Sequence, residues 1–377
     1  MTHSFSFLEF FAGGGMARLG LGDSWQCALA NDIDPQKCAA YRANFGEGHL
    51  FEGDIGALSL ENLPETRMDL MWGSFPCQDL SLAGSRGGLH ARRSGAFFPF
   101  WRLVEELCTA RRGPKIIALE NVTGLLTSND GRDFAAVINA LAAQGYCATA
   151  MVLDAAAFTP QSRPRLFILG FAKDAMPSSI QSEPSEATAP PAMMNALNNL
   201  NMSARDHWIW LSTSPARKRN IRLSEIIDWS ASKWHTPSKT KMLLSMMSET
   251  QRARINGIIK NGARRAGTGF RRTRTENAKS VQRFEARFDN LAGCLRTPAG
   301  GSSRQVVIAI ENGQVRTRLM TPREAARLMG LPEDYKLPTS DTAALKLCGD
   351  GVCAPVVQWL SETVFIPALQ KQNRKAA

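Results

Sequence analysis

The chain of 377 residues has no Cys-x-x-Cys pair, no unbroken run of about 18 apolar residues and no internal repeat. Its opening, "MTHSFSFLEFFAGGG", has neither the basic start nor the small-residue cleavage site of a secretory leader. These absences lead to the expectation of a cytoplasmic protein without a membrane span. The eight cysteines (27, 38, 77, 108, 147, 294, 348 and 353) are scattered, which argues against disulfides in a reducing compartment and against a zinc site. Cys348 and Cys353 are the nearest pair, but no second Cys/His pair accompanies them, so no metal is expected. A hydrophobic fraction of 44% and a charged fraction of 21% are those of an ordinary globular chain, long enough for two or three domains.

What the chain does have is misplaced charge. Residues 204 to 287 hold 19 Lys and Arg against 6 Asp and Glu, a net +13, so the rest of the chain is −2 within an overall +11. A positive excess confined to one internal segment points to a polyanionic partner such as nucleic acid. Trp208, Trp210, Trp229 and Trp234 fall in the same segment and read as a small-domain core rather than base-stacking wedges. "RRAGTGFRRTR", 264 to 274, reads as a DNA-contacting loop. Arg264, Arg265, Arg271, Arg272 and Arg274 would bind phosphate or guanine, and the glycines would let backbone approach.

Residues 1 to 171 alternate short apolar runs with amphipathic stretches. "FSFLEFF", "WQCALAND", "MDLMWGS", "KIIALEN" and "RLFILGF" read as strands, "DPQKCAAYRANF" and "FFPFWRLVEELCTARR" as helices. Such a βαβ series builds a mostly parallel sheet covered on both faces, an α/β fold. Residues 174 to 195 are rich in Pro, Ser and Glu and read as a linker. From about 290 order returns, with "VVIAIENGQV" a hairpin strand and "TPREAARLMG" a helix capped by Thr321 with Pro322 at its first position.

The chemistry sits at strand ends. "AGGGMARLGLG" follows the first strand, and Asp32 and Asp34 end the second about twenty residues later, an arrangement that suits an adenosine-type cofactor. The third glycine of Gly-x-Gly-x-x-Gly is absent, since Arg18 stands there. The pattern alone does not separate a dinucleotide from S-adenosylmethionine. "GSFPCQDLSLAG" puts Cys77 on a Gly/Pro/Ser-rich turn, where an exposed thiol is either an accident or a nucleophile. Glu120 ends the strand "KIIALEN", and in an open sheet both residues should meet the ligand crevice.

With "PQSRPRLFILG", "RLMTPREAARLMGLPEDY" and "GDGVCAPVV" added in order, the chain resembles the DNA (cytosine-5)-methyltransferase family over 5 to 171 and about 290 to 367. The resemblance implies a Rossmann-like S-adenosylmethionine-dependent methyltransferase sheet with a smaller target recognition domain. The domains are expected at 1–171 (catalytic and cofactor-binding), 172–290 (linker and target recognition) and 291–377 (hinge and return). It implies Cys77 as nucleophile, Glu120 as the acid facing cytosine, and Arg163 and Arg165 beside them, with Arg165 also touching the base oxygen. It implies cofactor contacts from Phe11, Gly13, Gly14, Met16, Asp32, Ile33, Asp54, Ile55, Pro76, Asp350 and Val352, and DNA contacts from Gln78 and Ser81. Three positions depart from the family pattern: Asp350 stands for Asn, Asp32 for Glu, and Ile33 for an aromatic.

The expected partner is double-stranded DNA, with a restriction endonuclease encoded nearby as a partner the family admits, and the expected state is a nucleoid-associated monomer. A target inside a duplex must be flipped out, and the glycine-rich, basic residues 78 to 96 read as a loop that closes over it. A tRNA cytosine methyltransferase, a catalytically silent DNA-binding relative and a nicotinamide dehydrogenase are the competing readings. The long basic segment disfavours the first and the presence of Cys77, Glu120 and Arg165 the second. "PCQ", "ENV" and "QSRPR" together leave the third unexplained.

Overall fold

A computed structural model describes residues 5–75, 95–177, 179–181, 183–184, 189–212, 219–262, 264–276, 278–297 and 304–373. Pro76, Cys77, Gln78 and Ser81, and with them most of the expected closing loop, lie outside the described residues. The chain divides into two compact units, one of Met1–Asp154, Pro164–Ala216 and Ala354–Ala377, the other of Ala155–Arg163 and Arg217–Cys353. These limits differ from the boundaries expected at 171/172 and 290/291: residues 172–216 group with the first unit, 291–353 group with the basic segment in the second, and the short segments 155–163 and 354–377 fall in the unit opposite to their chain neighbours.

The first unit is built on a seven-stranded sheet. Its strands are β1 (Phe5–Phe10), β2 (Trp25–Asp32), β3 (Leu50–Glu52), β4 (Leu70–Gly73), β5 (Ile116–Val122), β6 (Cys147–Asp154) and β7 (Pro164–Phe171), in the order β3-β2-β1-β4-β5-β7-β6. The first five are parallel, and β7 runs antiparallel to both of its neighbours. Strands buried on both faces need continuous apolar runs, and Leu70, Met71 and Trp72 of β4 are all buried. From β1 the sheet grows one way to β2 and the other way to β4. The carboxyl ends of β1 and β4 are therefore its switch point, where open α/β sheets bind ligands.

Four helices connect these strands: α1 (Met16–Leu21), α2 (Pro35–Phe45), α3 (Phe97–Thr109) and α4 (Arg132–Ala143). The Asp34 carboxylate caps α2 by accepting from the backbone N–H groups of Gln36 and Lys37. α3 buries Phe97, Phe100, Trp101, Val104 and Leu107, the i, i+3, i+4, i+7 spacing of one helix face. Phe97 stacks on Trp101 at 5.8 Å and meets Phe75 at 5.2 Å, so residues 75 and 97 meet at one point of the core. In the stretch read as a linker, β8 (Ile180–Gln181) pairs with β9 (Trp210–Leu211), and Pro191–Leu197 is helical.

The second unit carries a four-stranded antiparallel sheet, order β11-β10-β12-β13: β10 (Arg265–Glu276), β11 (Lys279–Arg287), β12 (Val306–Glu311) and β13 (Gln314–Leu319). Phe284, Val306, Ile308 and Ile310 pack on Leu243 and Ile255, from the helices Pro237–Ser245 and Glu249–Lys260, and on Met247 in the turn between them. Asn312 and Gly313, both at positive φ, turn β12 into β13, as an Asn-Gly hairpin turn requires. The helix Pro322–Leu328 has the expected Thr321 cap, reinforced by a Glu324 capping box.

Two expectations for the basic segment are corrected. "RRAGTGFRRTR" is strand, not loop, because its glycines sit under rings. A Cβ at Gly267 would stand 2.4 Å from the Phe288 ring, and one at Gly269 would stand 2.8 Å from that of Phe284. Nor do the four tryptophans share one small core. Trp208 and Trp210 are in edge-on contact with each other at 5.1 Å and pack in the first unit, Trp208 against Phe134. In the second unit Trp229 lies 4.0 Å under Arg264, and Trp234 lies beneath both Arg316 (4.3 Å) and Arg318 (5.0 Å).

Among the described residues one largely helical stretch, Asp341–Gln370, interrupted at 351–353, is long and apolar enough to cross a membrane by length and composition, yet 61% of its most apolar window is buried inside the protein. It is a core element.

Candidate active site

At the end of β1 the backbone turns sharply. Phe11 has φ 58°, a left-handed conformation uncommon outside glycine and often found at functional sites, and Gly13 follows with the same φ. A Cβ on Gly13 would meet nothing within 4 Å, whereas one on Gly15 would strike the Phe45 ring at 2.4 Å. Gly13 thus faces open space and Gly15 packs the helix. Met16, first residue of α1, is buried.

Asp32 holds this turn in place. One carboxylate oxygen accepts from Gly13 N–H and the other from Asp34 N–H, both at 2.8 Å. Each oxygen keeps a second lone pair. Asn31 ties the neighbouring strand end by donating to the carbonyls of Phe51 and Gly53. Asp54 accepts from Gly56 N–H at 2.7 Å, and Ile55 beside it is buried. Ile33 is 64% exposed, an apolar side chain left uncovered at the rim of the open turn. An open glycine cradle, a carboxylate and an uncovered apolar side chain fit an adenosine-type cofactor.

At the end of β5, Glu120 is buried, and Arg165 from the adjacent β7 pairs with it, Nε to Oε1 at 3.1 Å. The pairing follows from register: Val122 lies opposite Arg165, which puts the guanidinium one pleat from the carboxylate. Asn121 was not singled out from the sequence, yet its amide donates to the Phe75 carbonyl at 3.1 Å while its oxygen accepts from Val122 N–H. It fixes the residue that precedes Pro76 and Cys77. The signal available was an amide directly after the acid at a strand end.

The "PQSRPR" stretch is split. Arg165 belongs to the first unit with Glu120, but Gln161 and Arg163 belong to the second. Arg163 is buried there and donates to the carbonyls of Leu295 (3.1 Å), Gly349 (2.8 Å) and Gly351 (2.7 Å). Gln161 donates to Leu328 O and accepts from Leu295 N–H. Asp350 lies between two of the carbonyls gripped by Arg163 and accepts from the Thr297 hydroxyl, and Val352 is buried. The cofactor candidates therefore divide, with Asp350 and Val352 on the second unit and the other described ones on the first.

Burial pushes the thiols of Cys27, Cys38 and Cys348 up to about 12, so all three remain protonated near neutral pH and unfit as nucleophiles. The expected DNA contacts Arg272 and Arg274 both pair with Glu285, and Arg264 pairs with Glu311. Arg265 is exposed, and Arg271 is half-buried. No group of three or more potential metal ligands occurs among the described residues.

The glycine turn at the end of β1 and the buried, arginine-paired Glu120 at the end of β5 both lie at the carboxyl edge of a doubly wound α/β sheet, the edge where such sheets bind ligands. A family model for C-5 cytosine-specific DNA methylases matches residues 5–365, and the chain belongs to that family. It is 27% identical to the Type II methyltransferase M1.ScrFI of Lactococcus lactis subsp. cremoris, covering 99% of this chain and 81% of that protein. The same identity links it to the Type II methyltransferase M.NlaX of Neisseria lactamica, covering 98% and 99% of the two chains. The crystal structure of the S. pombe Dnmt2 methyltransferase superposes with a TM-score of 0.59 at 16% identity, over 97% of this chain and 98% of that one, a likeness of fold. The protein is an enzyme that methylates cytosine in DNA at C5.

Proposed function

We propose that the enzyme acts on a cytosine flipped out of double-stranded DNA, through a covalent bond between Cys77 and C6, with S-adenosylmethionine as cofactor. The observation that carries this reading is the buried Glu120–Arg165 pair at the carboxyl end of β5, beside the Asn121 amide that holds Phe75. S-adenosylmethionine, when bound, supplies an electrophilic methyl group. Phe11, Gly13, Gly14, Asp32, Ile33 and Asp54 are the residues of the first unit that would hold it.

C5 of cytosine is a weak nucleophile, and the protein's task is to change that. The Cys77 thiolate bonds to C6, the C5–C6 π pair shifts to C5–C4, the C4–N3 π pair moves onto N3, and Glu120 gives N3 a proton. C5 is then an enamine carbon. Arg165 keeps the Glu120 carboxyl oriented and faces the base oxygen. After methylation, loss of the C5 proton re-forms the C5–C6 double bond and expels the sulfur. The relatives' designation as Type II methyltransferases supports a place beside a restriction endonuclease.

Duplex carrying 5-fluorocytosine at the target tests the scheme, because fluorine cannot leave as a proton does. A stable adduct at Cys77 is expected, and Cys77→Ala should form none and transfer no methyl while still binding DNA. An adduct on another cysteine, or full turnover by the alanine variant, overturns the reading. Offering tRNA in parallel separates DNA from RNA as substrate.

A further inference from the structure

β12 pairs with β10 only from Arg265 to Gly269, whereas β11 follows β10 to its end at Glu276. Among the described residues no third strand pairs with β10 from Phe270/Glu285 to Glu276/Lys279, where β10 and β11 form a two-stranded ribbon roughly 24 Å long at about 3.4 Å per residue. Over 270 to 285 it carries five cations and two carboxylates.

The register sorts these residues by face. One face holds Arg272 directly opposite Arg283, a like-charge pair that on its own destabilises a ladder. It is relieved by Glu285, which binds Arg272 (3.3 Å) and Arg274 (2.5 Å), and by Glu276, which accepts from Arg283 Nε at 2.7 Å. An isolated hairpin is marginal in water, and these bridges brace it. The opposite face packs into the core at Phe284 and then emerges as two cross-strand pairs, Thr273/Gln282 and Thr275/Ser280, all four exposed. This face also carries Arg271, half-buried opposite Phe284, and beyond it the exposed end presents hydroxyls and an amide.

We propose that this Thr/Gln/Ser face of the ribbon enters the major groove of the DNA substrate and reads base edges beside the target cytosine. The arginines of the other face brace the ribbon and do not read sequence. The proposal rests on the DNA reading above and reassigns specificity away from Arg272 and Arg274. A two-stranded ribbon fits the roughly 12 Å width of the major groove. Gln pairs bidentately with adenine, and Ser and Thr hydroxyls donate to or accept from any base edge. The net positive charge of the ribbon complements the phosphates that wall the groove.

The test uses the full-length enzyme on a duplex library randomised around the methylated cytosine, read by sequencing methylated products. Thr273→Val, Thr275→Val, Ser280→Ala and Gln282→Ala remove polar groups at exposed positions that the fold does not need. At least one is expected to relax the preference at a single base position by about fivefold to a hundredfold, leaving the salt dependence of binding unchanged. Arg274→Ala should weaken all sequences alike. If the unaltered enzyme methylates duplex with a sequence preference that all four variants keep, the ribbon assignment alone falls. If the unaltered enzyme methylates no duplex, the DNA reading falls and the ribbon assignment with it.

Discussion

Glu9 is buried; one of its oxygens accepts from the backbone N–H of Arg18 at 3.4 Å and the backbone of Ala17 also bonds to the carboxylate, while Oε2 has no partner among the described residues. Burial is the largest influence and raises its carboxyl from about 4.5 to about 8, against the weaker pull of Arg18. The acid is therefore mainly neutral at pH 7. A folded-state value above the unfolded one means that the stability it contributes is complete below about 4.5 and is lost as pH rises through about 8. Each pH step in that window removes about 1.4 kcal/mol. Glu9→Gln should abolish this component, so its melting temperature should exceed that of the unaltered protein at pH 9 and approach it near pH 5. Thermal unfolding across that range measures it. Glu120→Gln is different in kind: the amide still fills the site and hydrogen-bonds, but it cannot give up a proton. Single-turnover methylation should slow about 10²- to 10⁴-fold with DNA affinity little changed. Lost DNA binding with a preserved rate per complex would make Glu120 structural.

Among the elements, the helix Pro322–Leu328 buries Ala325, Ala326 and Leu328 and is also tied down by a buried ion pair. Arg318 and Glu324, 1% and 0% exposed, form two hydrogen bonds of 2.7 and 2.5 Å. Arg318 also donates to the carbonyls of Asp228 and Leu319, Glu324 accepts from Asp228 N–H and from Thr321, and Arg318 Nε has no partner among the described residues. Removing one partner strands a buried charge. Glu324→Gln or Arg318→Met alone should lose about 3–5 kcal/mol in chemical denaturation, while Arg318→Met with Glu324→Leu together should lose far less. This helix was legible because its cap, proline and capping acid are local signals, and β1, β4 and β5 were legible as short apolar runs. β10 was not, since whether a glycine lies open in a loop or under a ring depends on Phe284 and Phe288, more than ten residues away. At the site, Glu120 could be read from its place at a strand end. The engagement of Asp32 with Gly13, and the split between Arg163 and Arg165, depend on contacts that no spacing reports.

At the scale of the whole molecule, charge and motif are segregated along the chain. We propose that target choice travels with the basic segment from about 172 to 290. Exchanging it with that of another family member should move methylation to the donor's site, as sequencing of methylated cytosines would record. An active chimera that keeps the original target would place recognition elsewhere. Binding should weaken steeply with salt, by a log–log slope of about −0.9 for each phosphate contacted, and replacing a phosphate-binding arginine should reduce that slope by about one.

The last residues of the chain complete the first unit. Gly20 of α1 lacks a Cβ because one would stand 2.5 Å from the Ala354 carbonyl and 2.6 Å from Val357, and Trp25 donates its indole N–H to Ser361. During synthesis the amino-terminal sheet therefore leaves the ribosome with Gly20 and Trp25 uncovered, and they stay so until some 330 residues more have been made. At about 5–20 residues per second that wait lasts roughly 15 to 70 seconds, long enough for a chaperone to occupy the bare helix first. A messenger truncated after the codon for Cys353 would yield a chain permanently in that waiting state.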